Sequence, residues 1–265
     1  MDLYNQIDQK QLDIWDQEQI KLKEKLITQN QYDWDIEATI NYSAPSMGKK
    51  NIRYIGGLDI SFDKTNVSKA CVSLVVLAFP SLEIVYRKFK MIEMTIPYQA
   101  GYLAFREVGP MLDMINDLRN DPDNNDLMPD ILMIDGNGVL HPRGFGLACH
   151  LGVLAGIPTI GVGKNFLLLD GFGLMDVKNL SMEKCPNVGD WVKLIGTSGK
   201  CWGASLTVTK GGRRPLYISI GHLIDLETSV QLVIHCSKHR IPEPIRQADL
   251  GSREFLRTGQ VNQKF

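Results

Sequence analysis

The sequence predicts an α/β domain: a mixed central sheet flanked by helices, with elements in the order β-β-β-α-β-α-β. Three observations predict it. Between Tyr54 and Met94 three β-rich segments follow one another with only turn residues between them. From Ala100 the period of the apolar residues becomes helical. Short apolar runs then alternate with helical stretches, the pattern of strands joined by helices that cover a sheet.

Before that core, Gln6 to Thr28 carries Ile7, Leu12, Trp15, Ile20, Leu22 and Ile27 at roughly helical spacing. A turn-rich stretch follows from Asn30 through Ser43, Pro45 and Gly48. The strands are expected at Tyr54 to Phe62, Lys69 to Phe79 and Glu83 to Met94, close enough in sequence for an antiparallel meander. Ala100 to Leu118 is the first central helix, with Leu103, Phe105, Val108, Met111, Leu112 and Ile115 on one face. Asp130 to Asp135 (DILMID) is a continuous apolar run and reads as a strand buried on both faces. Phe145 to Ala155 is the next helix and Pro158 to Val162 the next strand. This order is that of the ribonuclease H-like fold. Further strands are expected at Val188 to Ile195, Cys201 to Val208 and Leu216 to Ile220, with a closing helix from Thr228 to Cys236. No internal repeat and no linker divides the chain. Residues 1–50 form an N-terminal helix and connecting segment, 51–250 the domain, and 251–265 a polar tail.

Composition narrows the class. The chain has 265 residues, 44% of them hydrophobic and 22% charged, enough for a sizeable core. A net charge of -1 excludes binding by bulk positive charge alone, though not a local basic groove. The five cysteines form no CxxC pair, which removes a zinc ribbon or thioredoxin-like site. Their odd number and the polar N-terminus (MDLYNQIDQKQLDIWDQEQ) fit a reducing compartment; cytoplasm and nucleus are expected, with no membrane span. No GxGxxG follows the first strand and no GxSxG occurs, so a dinucleotide-binding domain and a serine hydrolase have no support.

Three acids stand out by position. Asp59 interrupts the first strand, Asp135 ends the buried one, and Glu107 lies on the helix after Pro97-Tyr98. In this strand order the first and fourth strands are neighbours, so their acids can converge, with Glu107 arriving from the intervening helix. Clustered carboxylates repel, and a hard divalent cation such as Mg²⁺ removes that penalty. Mg²⁺ so held serves phosphodiester hydrolysis. A lone acid is more often a cap or surface charge, but Asp135 follows a buried run and needs a partner.

PYQAGYLAFRE (Pro97 to Glu107) and DGNGVLHPRGFGLACHLGV (Asp135 to Val153) resemble the motifs of endonuclease V. GLDISF around Asp59, IGVGK ending at Lys164, the Gly221-His222 pair and RIPEPIRQAD from Arg240 support the same match, over about Tyr54 to Asp249. The resemblance is closest to the eukaryotic branch. It implies a ribonuclease H-like endonuclease using Mg²⁺, with Mn²⁺ as a substitute. The substrate would be inosine in single-stranded RNA, or deoxyinosine in DNA as in bacterial members. The second phosphodiester bond on the 3′ side would be hydrolysed, leaving 3′-hydroxyl and 5′-phosphate ends. A non-catalytic binder of inosine RNA is the rival from another class, and it would need a damaged acid set.

By motif position, Asp59, Glu107 and Asp135 match the metal-binding acids and His222 a further active-site residue. Pro97, Tyr98 and Gly101 fall in the wedge motif, where the tyrosine would fill the gap left by an unstacked base. Gly136, Asn137, Gly138, Val139 and Leu140 would form the base pocket, whose donors to O6 would reject adenine. His141 and Lys164 would assist at the phosphate, and Arg143 would serve phosphate as well. His150 divides evenly between site and core. Arg213 and Arg214 with Lys210, and Lys238 with His239, Arg240 and Arg246, would add backbone contacts, although turns are often charged merely because they are solvated. The sequence departs from the family at Ala100, where proline is frequent, at Gly163, where alanine is, and at Leu223, where arginine is. A monomer is expected.

Overall fold

The structure is a computed structural model that describes residues 7–210 and 214–260. Its frame is one eight-stranded sheet in the order β3-β2-β1-β4-β5-β8-β7-β6. The strands are β1 (Tyr54–Phe62), β2 (Lys69–Ala78), β3 (Ile84–Glu93), β4 (Ile131–Asp135), β5 (Thr159–Gly163), β6 (Trp191–Ile195), β7 (Cys201–Leu206) and β8 (Leu216–His222). β1, β2 and β3 form the expected antiparallel meander. β4 lies parallel to β1 on its other side, and β5 parallel to β4. β8, β7 and β6 then extend the sheet antiparallel. The expected α/β, ribonuclease H-like order β-β-β-α-β-α-β is therefore present, with three strands added beyond it.

The helices are α1 (Gln9–Lys23), α2 (Ile36–Ile40), α3 (Leu103–Arg119), α4 (Leu147–Ala155), α5 (Leu174–Lys184), α6 (Leu226–Cys236) and α7 (Glu243–Thr258). α3 and α4 cover one face, where Leu58, Val72, Leu74, Val76, Leu132 and Ile134 meet Met111, Met114, Ile115, Leu118 and Leu151. α6 and α7 cover the other, where Ile55, Val75, Leu77, Ile131 and Met133 meet Val230, Val233, Ile245 and Ala248. The alternation of these residues along β1 and β4 is the two-residue period of a sheet buried on both sides. α7 crosses β1 so closely that a side chain on Gly57 would begin 2.0 Å from the carbonyl oxygen of Pro244. No helix among the described residues is long and apolar enough to cross a membrane.

Three expectations need correction. Where a polar tail is expected from Gly251, α7 continues to Thr258. Its inner face there is made of Gly251 against Phe89, Ser252 against Asp59, and Phe255 stacked 5.9 Å from Phe89. Small, polar and single aromatic contacts hold it, so no apolar run announces it. α5 lies where no helix is expected; it buries only Val177 and Ser181. α2 is a single short helix in the turn-rich segment, capped by the Asp35 carboxylate, which accepts from the Ala38 N–H at 3.0 Å.

Candidate active site

The site begins with strand register. Leu58 of β1 pairs with Ile134 of β4, so Asp59 and Asp135 follow side by side at the C-terminal ends of two parallel strands. Both point to the α7 face, as Ile55 and Met133 do. Asp59 is 7% exposed. The hydroxyls of Ser61 and Ser252 lie 3.1 and 3.2 Å from its Oδ2. Asp135 is ion-paired with the ammonium of Lys164, which follows β5. Glu107 is buried on α3.

These acids act on one another electrostatically. Burial, then Asp135 and Asp249, push the Asp59 carboxyl up to about 6, against the Ser61 hydrogen bond and the Lys164 charge. Burial, then Asp59, push Glu107 up to about 8 despite Arg106. Sequence reasoning missed Asp249. It stands on α7, one turn before Ser252, and pairs with Arg253 at 2.7 Å. Its signal was the end of RIPEPIRQAD, a motif recognised as a block with no role given to its last residue.

The donor set suits a hard cation. It is all carboxylate oxygen, it carries more negative charge than Lys164 offsets, and burial together with mutual repulsion is what the raised carboxyls register. Among the described residues no three His, Cys, Asp or Glu side chains already close on one point. A finished cage is not what Mg²⁺ requires, since it keeps several waters and takes one or two carboxylates.

Beside the acids lies a cavity of about 350 Å³, within the range of roughly 300–1,000 Å³ usual for ligand pockets. Tyr98, Gly101, Asn137, His141 and Arg143 all line it, together with Gln19 of α1. Asn137 follows Asp135 by two residues, and Leu103 and Ala104 of the cavity precede Glu107 by one turn. Tyr98 is 66% exposed at the rim, after Pro97. The Asn137 Oδ1 is buried without a hydrogen-bond partner. Burial and the Arg143 charge push His141 down to about 4, against a bond with the Gly101 backbone, so it is neutral at pH 7.

Arg143 is a clamp. It donates to the Gln19 side chain and to the Gly101 carbonyl, lies 3.5 Å from Asp16, and sits 4.1 Å above the Tyr102 ring. The N-terminal helix thus builds one wall of the cavity. Trp15 of α1 stacks on Phe105 at 4.9 Å, and Gln19 donates to the Phe145 carbonyl at 2.6 Å. Sequence reasoning gave α1 no site residue, because its anchors are scattered polar groups.

Other expected residues lie elsewhere. Val139 and Leu140 are apolar and packed in the core, so their side chains do not line the cavity. The Gly136 N–H donates to the Val162 carbonyl at 3.2 Å and the Gly138 N–H to the Ser219 hydroxyl at 2.8 Å, leaving neither to a ligand. His150 is 1% exposed between the rings of Phe105 and Phe145, and burial pushes it down to about 4. It is a core residue. His222 pairs with Thr159, the first residue of β5, whereas Asp135 pairs with Val162 near its end. His222 therefore stands at the other end of the strands, where its Nδ1 accepts from the Ile27 N–H at 3.3 Å. Asp249, and not His222, is the further polar group beside Asp59. Of the basic groups, Arg240 donates to the Lys164 carbonyl at 3.0 Å, and Arg246 makes a two-pronged pair with Glu243. The Gly211-Gly212-Arg213 turn lies outside the described residues.

Comparisons with known proteins identify the family. The family model described as Endonuclease V matches residues 37–250. Human Endonuclease V is 42% identical over 246 residues, covering 93% of this chain and 83% of the human protein. The crystal structure of the catalytic domain of human Endonuclease V superposes with a TM-score of 0.87 at 41% identity, covering 96% of this chain and 98% of the other. Ciona intestinalis Endonuclease V, in complex with a 24mer DNA containing an inosine followed by a ribo-adenosine, gives a TM-score of 0.81 at 30% identity, covering 95% and 100%. The chain belongs to the Endonuclease V family of nucleases.

Proposed function

We propose that the protein recognises inosine in single-stranded RNA and hydrolyses the second phosphodiester bond on its 3′ side, leaving 3′-hydroxyl and 5′-phosphate ends. The observation that carries this reading is the adjacency of two parts. Within a cluster of mutually repelling carboxylates, Asp59, Asp135, Asp249 and Glu107, two members share an element with the cavity lined by Tyr98, Asn137 and His141: Asp135 stands two residues before Asn137, and Glu107 is on α3 with Leu103 and Ala104. The Ciona relative binds a strand with inosine followed by a ribo-adenosine. A ribose at that step supports a substrate with a 2′-hydroxyl beyond the inosine.

Asp59, Asp135 and Asp249, with Glu107, would hold a divalent cation. Bound Mg²⁺ supplies charge neutralisation for the phosphodiester and a water of lowered pKa. Glu107, protonated at pH 7 without the ion, gives up its proton when the site fills. Lys164, paired with Asp135, adds positive charge on the side where the phosphate must lie. His141 meets the nucleotide as a neutral hydrogen-bonding ring. Tyr98, exposed at the rim, fills the stack when the base enters the cavity. The Asn137 Oδ1, buried and unpaired, is an acceptor for the N1–H that inosine has and adenosine lacks.

A deoxyinosine-specific activity on DNA is the second reading, since the strand bound by the Ciona relative is otherwise DNA. Two labelled single strands, RNA with central inosine and DNA with central deoxyinosine, separate the two when incubated with Mg²⁺, Mn²⁺ or EDTA and the product ends mapped. Metal-dependent cutting one nucleotide beyond inosine, faster in RNA, is the expected result. Faster cutting of DNA moves the assignment to repair. Binding without cutting in either metal leaves a non-catalytic binder.

A further inference from the structure

Two ammonium groups converge on one backbone position beside the cavity. Gly144 has a left-handed backbone, with φ of 64°, and a side chain starting there would lie 3.1 Å from the Nζ of Lys23 and 3.1 Å from the Nζ of Lys200. Lys23 is in the last turn of α1 and Lys200 on the turn between β6 and β7, so two distant segments bring like charges together. Lys23 donates to the Arg143 carbonyl at 2.5 Å. The Lys200 ammonium sits 3.7 Å over the ring of Trp202. Burial and the Lys23 charge act together to lower the Lys200 pKa. The acid facing Lys200 is Asp170, which opposes that lowering; its Oδ2 accepts from the Ser198 hydroxyl and the Trp202 Nε1, both at 2.6 Å, and its Oδ1 from the Ser198 N–H at 3.1 Å.

Both lysines are exposed, so in water they repel only weakly, but an anion seated between them would be attracted by both ammonium groups. The location says which anion. Gln19 lines the cavity, and Lys23 lies one helical turn further along the same face of α1. Arg143 lines the cavity too, and Gly144 follows it in the chain. The absent side chain at Gly144 leaves the space between the ammonium groups open.

We infer that Lys23 and Lys200 form a phosphate subsite, gripping one backbone phosphate of the substrate strand next to the nucleotide held in the cavity. The inference rests on the proposed nucleic-acid substrate, and its test reads binding separately from cleavage. Fluorescence anisotropy of a labelled single-stranded inosine RNA, over a salt series with Ca²⁺ present, would compare the wild type with Lys23→Met, Lys200→Met and the double variant. Each single variant is expected to weaken binding and flatten the dependence of log affinity on log salt. The double variant flattens it by about 0.7 in total, one single-strand phosphate, because both lysines grip the same group. Replacing phosphates one at a time by neutral methylphosphonate should find one position where wild-type affinity falls and the double variant is indifferent. Lys200→Arg should keep the effect. Thermal midpoints of the methionine variants should stay close to that of the wild type, since both lysines are exposed, so that lost binding is not lost folding. Equal salt slopes in all proteins, or methylphosphonate losses that match between wild type and double variant at every position, would overturn the subsite. The phosphate signature without any cleavage would leave the subsite standing and overturn the nuclease reading instead.

Discussion

Asp59 and Asp35 expose similar shares of their surface, 7% and 9%, yet Asp59 lies among packed elements that desolvate it while Asp35 does not, and their carboxyls move in opposite directions. Asp35 falls to about 2, because the Ser46 hydroxyl at 2.6 Å, the Ala38 N–H and the Ser46 N–H all donate to it. Asp59 rises to about 6, because burial and the charges of Asp135 and Asp249 outweigh its serine contacts. Deep burial and neighbouring charges on one side, and donor supply on the other, separate a carboxylate kept short of partners from one that holds the fold. The first ties α2 to its neighbouring turn. The second belongs to a cluster whose carboxylates raise one another's affinity for protons.

The largest test of this contrast is the loss of an undersupplied acid. Asp59→Asn or Asp135→Asn should fold, and should lower the cleavage rate by about 10³-fold, equivalent to roughly 4 kcal/mol of barrier. Single-turnover cleavage of inosine RNA reads it, and retention of near wild-type rates would remove either residue from the mechanism. Asp249→Asn should cost less, roughly 10- to 100-fold, while His222→Ala should change the rate far less than Asp249→Asn. A reversed ranking would mean that the far end of β5 and β8 belongs to the site.

Stability against pH sharpens the contrast further. Glu107 has its folded carboxyl raised to about 8 from an ordinary 4.5. The stability tied to its proton is complete below about pH 4.5 and lost as pH rises through about 8. In metal-free protein, Glu107→Gln should therefore match the wild type near pH 4 and melt higher at pH 8 to 9, by ~2–4 °C for each kcal/mol relieved. Asp35 has the opposite sign: its contribution is present above about pH 3.8 and lost as pH falls through about 2. Asp35→Ala should lower the melting temperature by a constant amount from pH 5 to 9 and leave the cleavage rate unchanged. Melting curves across pH check both, and parallel behaviour of the two variants would erase the distinction.

The same contrast explains what could be read from the sequence. The meander, α3, β4, α4 and β5 were legible to within a few residues, because continuous apolar runs and helical spacing mark elements that bury large side chains. Asp59, Glu107 and Asp135 were legible for a related reason: each is a charge placed against an apolar pattern. Asp249 and Ser252 were not, since α7 packs there through Gly251 and Ser252, and small polar residues at a helix face look like a solvated tail. The role of α1 was hidden because Asp16, Gln19 and Lys23 act through Arg143, more than a hundred residues away. His222 matched a motif, but only the pairing of β5 with β8 places it at the far end.

The most direct measurement is a calorimetric titration of the protein with Mg²⁺ at pH 7, in two buffers of different ionisation enthalpy. If the carboxylates are held short of partners until a cation arrives, binding should release about one proton per ion, chiefly from Glu107, and the release should vanish by pH 9. Mg²⁺ binding with no proton release at pH 7, or no binding that Asp59→Asn abolishes, would contradict the account.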